Sequence, residues 1–187
     1  KRIESIVDRV QLLGEINRID FDVLNIHDVI DKVKRSASQG YGSHVSFEEN
    51  YDPSIPNVNG DFELLTQAFH NIIKNSCEAV SKKGGRITIK TSFYYGLALG
   101  SIGEKNKKLQ LMITFSDNGP GVSKNIISDI FDPFSTTKMG GSGLGLPLVA
   151  KIISEHGGLV ELDDMSEGAC FKIYLPAGDT SLSERTH

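Results

Sequence analysis

The sequence predicts an α+β fold, a two-layer sandwich of a sheet and helices. Predicted strands occur in adjacent pairs with hairpin-like connections, and the predicted helices are grouped between those pairs, which disfavours a doubly wound parallel fold. The 187 residues, 39% of them hydrophobic, can bury roughly 70% of the surface of the unfolded chain. We therefore expect one domain, over residues 21–178, with an appended element at residues 1–20.

The first sixteen residues predict a charged helix with one narrow apolar stripe. Its apolar residues recur at intervals of three and four. They are Ile3, Ile6, Val7, Val10 and Leu13. Such a stripe packs either against the rest of this chain or against a partner helix of an intermolecular bundle, and the periodicity alone favours neither.

The first half of the domain is predicted to contain short strands and two helices. The first elements are a strand over 21–25, a helix over 26–38, a strand over 45–49 and a brief strand near Val58. Asp61 can then cap a long helix that reaches Val80, because its carboxylate can accept hydrogen bonds from the first backbone N–H groups.

The second half is predicted to contain a hairpin, a glycine-rich loop and a closing pair of strands. The elements are strands over 86–95 and 109–117 around a solvated loop 96–108, a short helix over 124–130, a polar loop over 135–142, a helix to His156, and strands over 159–162 and 170–175. We expect the tail 179–187 to be disordered.

Composition excludes several classes of protein. The net charge of −4 disfavours nucleic acid or an anionic membrane surface as the main partner. No apolar run approaches the roughly 18 residues of a membrane span, so we expect no membrane segment. The two cysteines, Cys77 and Cys170, have the spacing of neither a disulfide framework nor a metal site, which favours a cytoplasmic location.

The long helix has a polar face that includes Asn71, Lys74, Asn75 and Glu78. Asparagine is a weak helix former, so two asparagines one turn apart indicate a use beyond that of an ordinary solvated face, which is the alternative. Their amide oxygens are hard, neutral ligands that suit Mg²⁺ when phosphates supply the remaining charge.

Asp117 continues the apolar row of the strand that precedes it, because alternate residues of a strand point to one face. A buried carboxylate needs either a structural ion pair or a ligand that donates hydrogen bonds, and an adenine amino group is such a donor. The next turn contains Gly119 and Gly121, which would let a flat ligand approach the backbone.

A third segment runs from a glycine-rich loop into a helix. Its residues are Gly140, Gly141, Ser142, Gly143, Leu144, Gly145, Leu146 and Pro147. Free backbone N–H groups and the positive end of the helix dipole would face the glycines, where phosphates could approach. The segment lacks the lysine of a P-loop, and a flexible turn would also explain its glycines.

In this order, four segments resemble the N, G1, F and G2 boxes of the ATP-binding domain of sensor histidine kinases, the GHKL or Bergerat fold. They are Asn71 to Asn75, Asp117 to Gly121, Phe131-Asp132-Pro133-Phe134 and Gly141 to Leu146. The segments His70 to Val80, Phe134 to Lys138, Leu148 to Ile152 and His156-Gly157-Gly158 are similar to the NtrB-type kinases of nitrogen regulation. The resemblance covers residues 21–176 and implies a mixed, mostly antiparallel sheet with helices on one face.

The resemblance implies a role for each matching residue. Asn71 and Asn75 would hold Mg²⁺ and the phosphates of ATP, and Asp117 would bind the adenine amino group. The other implied ATP-binding residues are Lys74, Gly119, Gly121, Phe131, Thr136, Thr137, Lys138, Gly141, Ser142, Gly143, Leu144, Gly145 and Leu146.

Two positions depart from the family pattern. Glu78 stands where many histidine kinases place a basic residue, so we do not count it as a cation for the γ-phosphate. Ala169 stands where many relatives carry Thr or Ser, so a hydroxyl contact near the adenine is not expected from that position.

The resemblance implies transfer of the γ-phosphoryl group of ATP to a histidine, and then to an NtrC-type response regulator. None of the five histidines carries the motif of a phosphoacceptor, so we expect the acceptor upstream of Lys1. Residues 1–20 would then be the end of the helical bundle of a homodimer. A PII-type signalling protein is a further partner that the subfamily implies.

Two alternatives stay open. A GHKL ATPase of the gyrase or Hsp90 kind would share the fold, but those proteins carry a Glu base where Asn71 stands. A nucleotide-insensitive interaction module would share the fold without binding ATP.

Overall fold

The computed structural model describes residues 19–95, 109–123, 125–135, 142–163 and 167–178. The predicted N-terminal helix, the predicted loop 96–108 and the predicted tail 179–187 lie outside these ranges.

A five-stranded sheet forms one layer of the fold. The strands are β1 Asp22–Leu24, β2 Val45–Asn50, β3 Val58–Gly60, β4 Gly85–Tyr95, β5 Leu109–Asp117, β6 Leu159–Asp163 and β7 Cys170–Pro176. The order in the sheet is β2-β4-β5-β7-β6, in which β2 and β4 are parallel and every other pair is antiparallel. A separate antiparallel pair joins β1 to β3. The prediction of a mixed, mostly antiparallel sheet is therefore confirmed.

Three helices form the second layer: α1 Ile26–Gln39, α2 Phe62–Ala79 and α3 Gly145–Glu155. The predicted cap of the long helix is confirmed, because Asp61 Oδ1 accepts hydrogen bonds from the backbone N–H groups of Glu63 and Leu64, both at 3.0 Å. Asn25 caps α1 in the same way through the N–H group of His27, at 3.0 Å. None of the described helices is long and apolar enough to span a membrane.

The hydrophobic core lies between the helices and one face of the sheet. Alternate residues of β5 are fully buried, and the ring of Phe115 packs 5.3 Å from the ring of Phe69 on α2. The intervening residues Met112, Thr114 and Ser116 lie on the other face and are partly exposed, whereas Gln110 is buried. Since apolar side chains of all three helices belong to the same core, the helices cover one face of the sheet, as predicted.

The predicted short helix over 124–130 is wrong for the residues that the structure describes there. Residues 125–131 form turns, in which the N–H group of Asp129 donates to the carbonyl of Ile126 at 3.1 Å. Within 125–130, Ile130 alone is buried, so the segment lacks the apolar face that would offset the cost of helix nucleation.

Candidate nucleotide-binding site

Asp117 ends β5 as a buried carboxylate that is only 7% exposed. Its Oδ1 accepts hydrogen bonds from the backbone N–H groups of Gly119, at 3.0 Å, and Ala169, at 3.3 Å. No ion pair among the described residues involves Asp117, and none of their hydrogen bonds uses its Oδ2. The structural ion pair considered from the sequence is therefore absent from the described part of the chain, where Oδ2 also has no hydrogen-bond donor.

The turn after Asp117 packs directly on the last turn of α2. A β-carbon placed on Gly119 would lie 2.9 Å from Asp117 Oδ1 and 3.2 Å from the carbonyl carbon of Ala79. Any side chain would have to move the helix or the carboxylate, so glycine is required at this position. Gly121 has a φ of 77° and faces the carbonyl of Gly168.

The polar face of α2 adjoins the start of α3. Asn71 is 8% exposed, and a β-carbon placed on Gly145 would lie 3.7 Å from its Oδ1. Asn75 and Lys74 are partly exposed, and Glu78 is exposed. The structure therefore brings Asn71 together with Gly145, the first residue of α3.

The helix α2 contacts both ends of the candidate site. Gly119, in the turn after Asp117, lies against Ala79, while Gly145, at the start of α3, lies against Asn71. Eight residues separate Ala79 from Asn71, which is about 12 Å along a helix. This separation is comparable with the distance from the base of a nucleotide to its terminal phosphates.

The start of α3 leaves backbone donors without an intrahelical acceptor. Leu144 precedes the helix without a side-chain hydrogen bond to cap it, and Pro147 has no N–H group. The N–H groups of Gly145 and Leu146 therefore lie at the positive end of the helix dipole, where an anion is stabilised. The side chain of Leu144 is fully buried, and that of Leu146 packs against the core, so both would act through the backbone.

The two residues that flank the segment 135–142 are joined by a backbone hydrogen bond. The N–H group of Phe134 donates to the carbonyl of Gly143 at 3.0 Å. Gly143 has a φ of 65°, and a β-carbon there would lie 2.6 Å from the Cα of Phe134, so both the backbone angle and the close approach require glycine. Phe134 is itself 68% exposed.

Some predicted site residues fall elsewhere. Thr136, Thr137, Lys138 and Gly141 lie outside the described residues. Phe131 packs, partly buried, against the hydrophobic core. The predicted roles of these five residues in ATP binding stay predictions.

The end of α2 is electrostatically unfavourable for further negative charge. Burial, helped by the charges of Glu78 and Asp117, raises the pKa of the Cys77 thiol to about 11. Burial also raises the pKa of Tyr41 to about 12, with contributions from Cys77 and Glu78. Cys77 is thus a protonated thiol at neutral pH, which excludes it as a thiolate nucleophile.

The part of the chain that the structure describes contains no cluster of three His, Cys, Asp or Glu side chains that could hold a metal ion. The amide oxygen of Asn71 faces the start of α3, and Asn75 follows Asn71 by one helical turn. Both side chains offer a neutral oxygen ligand. A cation there would need further ligands from a bound anion.

Each histidine in the described ranges is held by other groups. His27 bonds to Thr91 Oγ1 at 2.9 Å, His44 donates to the Cys77 carbonyl at 3.1 Å, and His70 lies 3.4 Å from the hydroxyl of Tyr41. His156 is buried and bonds through both ring nitrogens. None of the four is an exposed acceptor beside the start of α3.

Sequence reasoning missed one neighbour of Asp117 and one buried polar residue of α2. The N–H group of Ala169 reaches the carboxylate, although we considered only the side chain of that residue. Ser116 pairs with Cys170 in the β5–β7 ladder, so Ala169, the residue before Cys170, lies next to Asp117. Ser76 is a polar residue on the apolar face of α2, and this exception to the helical pattern could have identified it.

Comparison with known proteins agrees with this geometry. Residues 60–179 match the family model of the histidine kinase-, DNA gyrase B- and HSP90-like ATPases. The chain is 43% identical over 178 residues to the sensory histidine kinase/phosphatase NtrB of Rhizobium meliloti (strain 1021), covering 94% of this chain and 47% of that protein. It is 41% identical over 186 residues to NtrB of Rhizobium leguminosarum bv. phaseoli, covering 98% of this chain and 49% of that protein.

A solved structure supports the same assignment. The catalytic domain of the histidine kinase ThkA superposes with a TM-score of 0.70 at 25% identity, over 85% of this chain and 97% of that one. The chain spans about half the length of the curated relatives named above. From its fold, its site and the match over residues 60–179, the chain belongs to the histidine kinase-, DNA gyrase B- and HSP90-like ATPase family.

Proposed function

We propose that this chain is the ATP-binding catalytic part of a protein-histidine kinase of the NtrB type. The observation that carries the proposal is the buried carboxylate of Asp117, which has backbone donors on one oxygen and no cationic partner in the described ranges. The similarity to the two NtrB proteins supports the choice of a kinase over other members of the family.

The base end of the site is Asp117. Its Oδ2 would accept a hydrogen bond from the 6-amino group of adenine, and the bond would be strong because the carboxylate is charged and shielded from water. The turn at Gly119 keeps the space beside the carboxylate free of side chains. A guanine base would present a carbonyl oxygen to the same carboxylate, so the site should select adenine.

The phosphate end is the start of α3 together with Asn71. Backbone N–H groups at Gly145 and Leu146 would donate to phosphate oxygens. Asn71 and Asn75 would hold Mg²⁺, which their neutral amide oxygens fit, and the bound ion would neutralise charge on the phosphates. Lys74 and the lid residues Thr136, Thr137 and Lys138 complete the proposed contacts.

The reaction would transfer the γ-phosphoryl group to an imidazole nitrogen of a histidine. The bond between the γ-phosphorus and the β,γ-bridging oxygen breaks, a phosphorus–nitrogen bond forms, and ADP leaves with the electron pair. The residues described here would position ATP and exclude water from the base. Because all four described histidines are held within the fold, the acceptor belongs to another part of the protein.

The partners of the proposed kinase follow from the NtrB type. The phosphoryl group would pass from the histidine to an NtrC-type response regulator. A PII-type protein would regulate the kinase, which would act as a homodimer in the cytoplasm.

A phosphotransfer assay tests the proposal. The chain is mixed with ATP labelled with ³²P at the γ-phosphate and with a separate polypeptide that carries the acceptor helix of an NtrB-type kinase. We expect label on the acceptor with the wild-type chain and little with Asp117→Asn. Steady ATP hydrolysis without transfer would favour the ATPase alternative, and an unchanged melting temperature at saturating Mg-ADP would favour an interaction module.

A further inference from the structure

We propose that Asn118 is a positioning residue for the recognition of adenine. Its side chain ties the turn that follows Asp117 to the residues that lead into β4, and this tie would hold the Asp117 carboxylate in place for the base. The inference rests on the proposed function, since it requires adenine at Asp117, and it adds a residue to which the sequence motifs gave no separate role.

Asn118 makes three hydrogen bonds to the backbone at the start of β4. Its Oδ1 accepts the N–H of Arg86 at 2.8 Å, and its Nδ2 donates to the carbonyl of Gly84 at 2.9 Å. Its own backbone N–H donates to the carbonyl of Arg86 at 3.2 Å. The side-chain amide therefore bonds as a peptide group would, and it extends the β4–β5 ladder beyond the end pair of Ile87 with Asp117.

The two side-chain bonds require an amide. A backbone N–H group only donates and a carbonyl only accepts, so the side chain must present an acceptor to Arg86 and a donor to Gly84. An ionised aspartate offers acceptors alone, and alanine offers neither. Because the oxygen and the nitrogen of the Asn118 amide are both bonded to backbone, we assign the residue a positioning role and no contact with the nucleotide.

The backbone of Asn118 connects the Asp117 carboxylate to one of its own donors. The next residue, Gly119, donates its N–H to Asp117 Oδ1 at 3.0 Å and packs on Ala79 at the end of α2. A shift of Asn118 relative to Arg86 would move this N–H group, and with it the orientation of the carboxylate. The bonds of Asn118 therefore fix the turn on the side of β4, whereas Ala79 fixes it on the side of α2.

The connection from α2 to β4, to which Asn118 is bonded, is closely packed. A β-carbon placed on Gly85 would lie 2.5 Å from the carbonyl oxygen of Ser81 and 2.8 Å from the side chain of Val80. The bond to the carbonyl of Gly84 therefore ties Asn118 to a compact turn that leaves the end of α2, the helix on which the proposed nucleotide site is built.

Titration calorimetry on the 187-residue chain with two ligands tests the inference. The ligands, each with Mg²⁺, are ADP and purine riboside 5′-diphosphate, which has a hydrogen in place of the 6-amino group. Asn118→Ala should weaken ADP binding about three- to tenfold, the effect of one hydrogen bond, and should leave the affinity for the second ligand nearly unchanged. A merely structural role would lower both affinities by the same factor, so the ratio of the two affinities is the readout.

Two further variants test the same step. Asn118→Asp keeps an acceptor for the Arg86 N–H but places another acceptor opposite the Gly84 carbonyl, so it should also reduce the preference for ADP. Its added charge would weaken both ligands alike and cancel in the ratio. In the background of Asp117→Asn, Asn118→Ala should cause no further loss of ADP affinity, because the group that it positions has already been changed.

The matched control is Asn25→Ala, which also removes an exposed asparagine side chain that accepts a backbone N–H group, that of His27 at 3.0 Å. His27 bonds to Thr91, which follows Arg86 by five residues, about 17 Å along β4. We expect Asn25→Ala to have a lower melting temperature, through loss of the α1 cap, and the wild-type affinity for both ligands.

The two proposals fail in different ways. If the wild type does not bind Mg-ADP, the proposed function is wrong. If Asp117→Asn abolishes the preference for ADP while Asn118→Ala keeps the wild-type ratio, only the role of Asn118 is wrong. Melting temperatures without nucleotide check that each variant is folded, and Asn118→Asp supplies the same ratio if Asn118→Ala does not fold.

Discussion

The folded chain should lose stability below pH 6.5 because His156 is buried in its neutral form. His156 is 4% exposed, its Nδ1–H donates to the Ile152 carbonyl at 2.7 Å, and its Nε2 accepts the N–H of Asp61 at 2.9 Å. Protonation at Nε2 would place a second N–H donor opposite the N–H group of Asp61. Burial lowers the pKa of His156, and the Ile152 carbonyl and the charges of Asp61 and Glu155 only partly oppose this.

The sign and size of the effect follow from linkage. The unfolded chain takes up a proton at the ordinary pKa of 6.5, whereas the folded chain does so only at lower pH. Stability from this group is complete above pH 6.5 and falls as the pH drops towards the folded-state value. Between pH 7.5 and 5.5 the loss in the free energy of unfolding is at most about 1.4 kcal/mol.

Urea denaturation at the two pH values measures this loss. His156→Gln keeps an acceptor for the Asp61 N–H but does not titrate, so its stability should be lower at pH 7.5 and should change less with pH. The difference between the two proteins also removes the contribution of His27, whose pKa burial lowers as well. His44→Gln, the control for loss of a ring, should keep the larger fall. Equal pH dependence of wild type and His156→Gln would refute the reasoning.

Three further predictions concern single residues. Gly143→Ala should destabilise the chain more than Gly84→Ala. Each substitution places a side chain at a positive φ, which costs about 1 kcal/mol, but only the new β-carbon at position 143 would also clash with Phe134. Equal urea midpoints of the two variants would contradict this. Asp61→Ala should lower the free energy of unfolding by about 1 kcal/mol through loss of the α2 cap, whereas Asp61→Asn should keep most of the wild-type stability because asparagine also caps helices. Equal stability of wild type and Asp61→Ala would show that the cap has no role. Cys77, with a pKa of about 11, should react with iodoacetamide at pH 8 far more slowly in the folded chain than in urea, and equal rates would show that the thiol is not shielded.

The sequence was sufficient for most of the fold because its local patterns agree with the tertiary packing. Asp61 is both the predicted and the observed cap of α2, and the alternation in β5 buries the predicted residues. The prediction of a short helix over 124–130 was wrong because the spacing of polar residues does not show whether a helix there would have an apolar face to bury. The parallel pairing of β2 with β4 depends on contacts distant in sequence, which periodicity does not contain.

The candidate site could be predicted in its parts but not in its arrangement. Motif chemistry identified Asp117 and Asn71, yet only the structure shows that the turn after Asp117 packs on Ala79 of α2, the helix that carries Asn71, and that Asn71 lies beside Gly145 of α3. The Ala169 contact depends on a backbone N–H group, which any residue except proline supplies, so the residue type carries no information about it.

The affinity of the chain for Mg-ADP before and after Asp117→Asn tests the central claim most directly. Asparagine has nearly the same shape but carries no charge, so loss of a charge-assisted hydrogen bond should weaken binding about 10- to 100-fold, while the folded structure is kept. Equal affinity of wild type and Asp117→Asn in titration calorimetry would contradict the claim that this buried carboxylate binds the adenine.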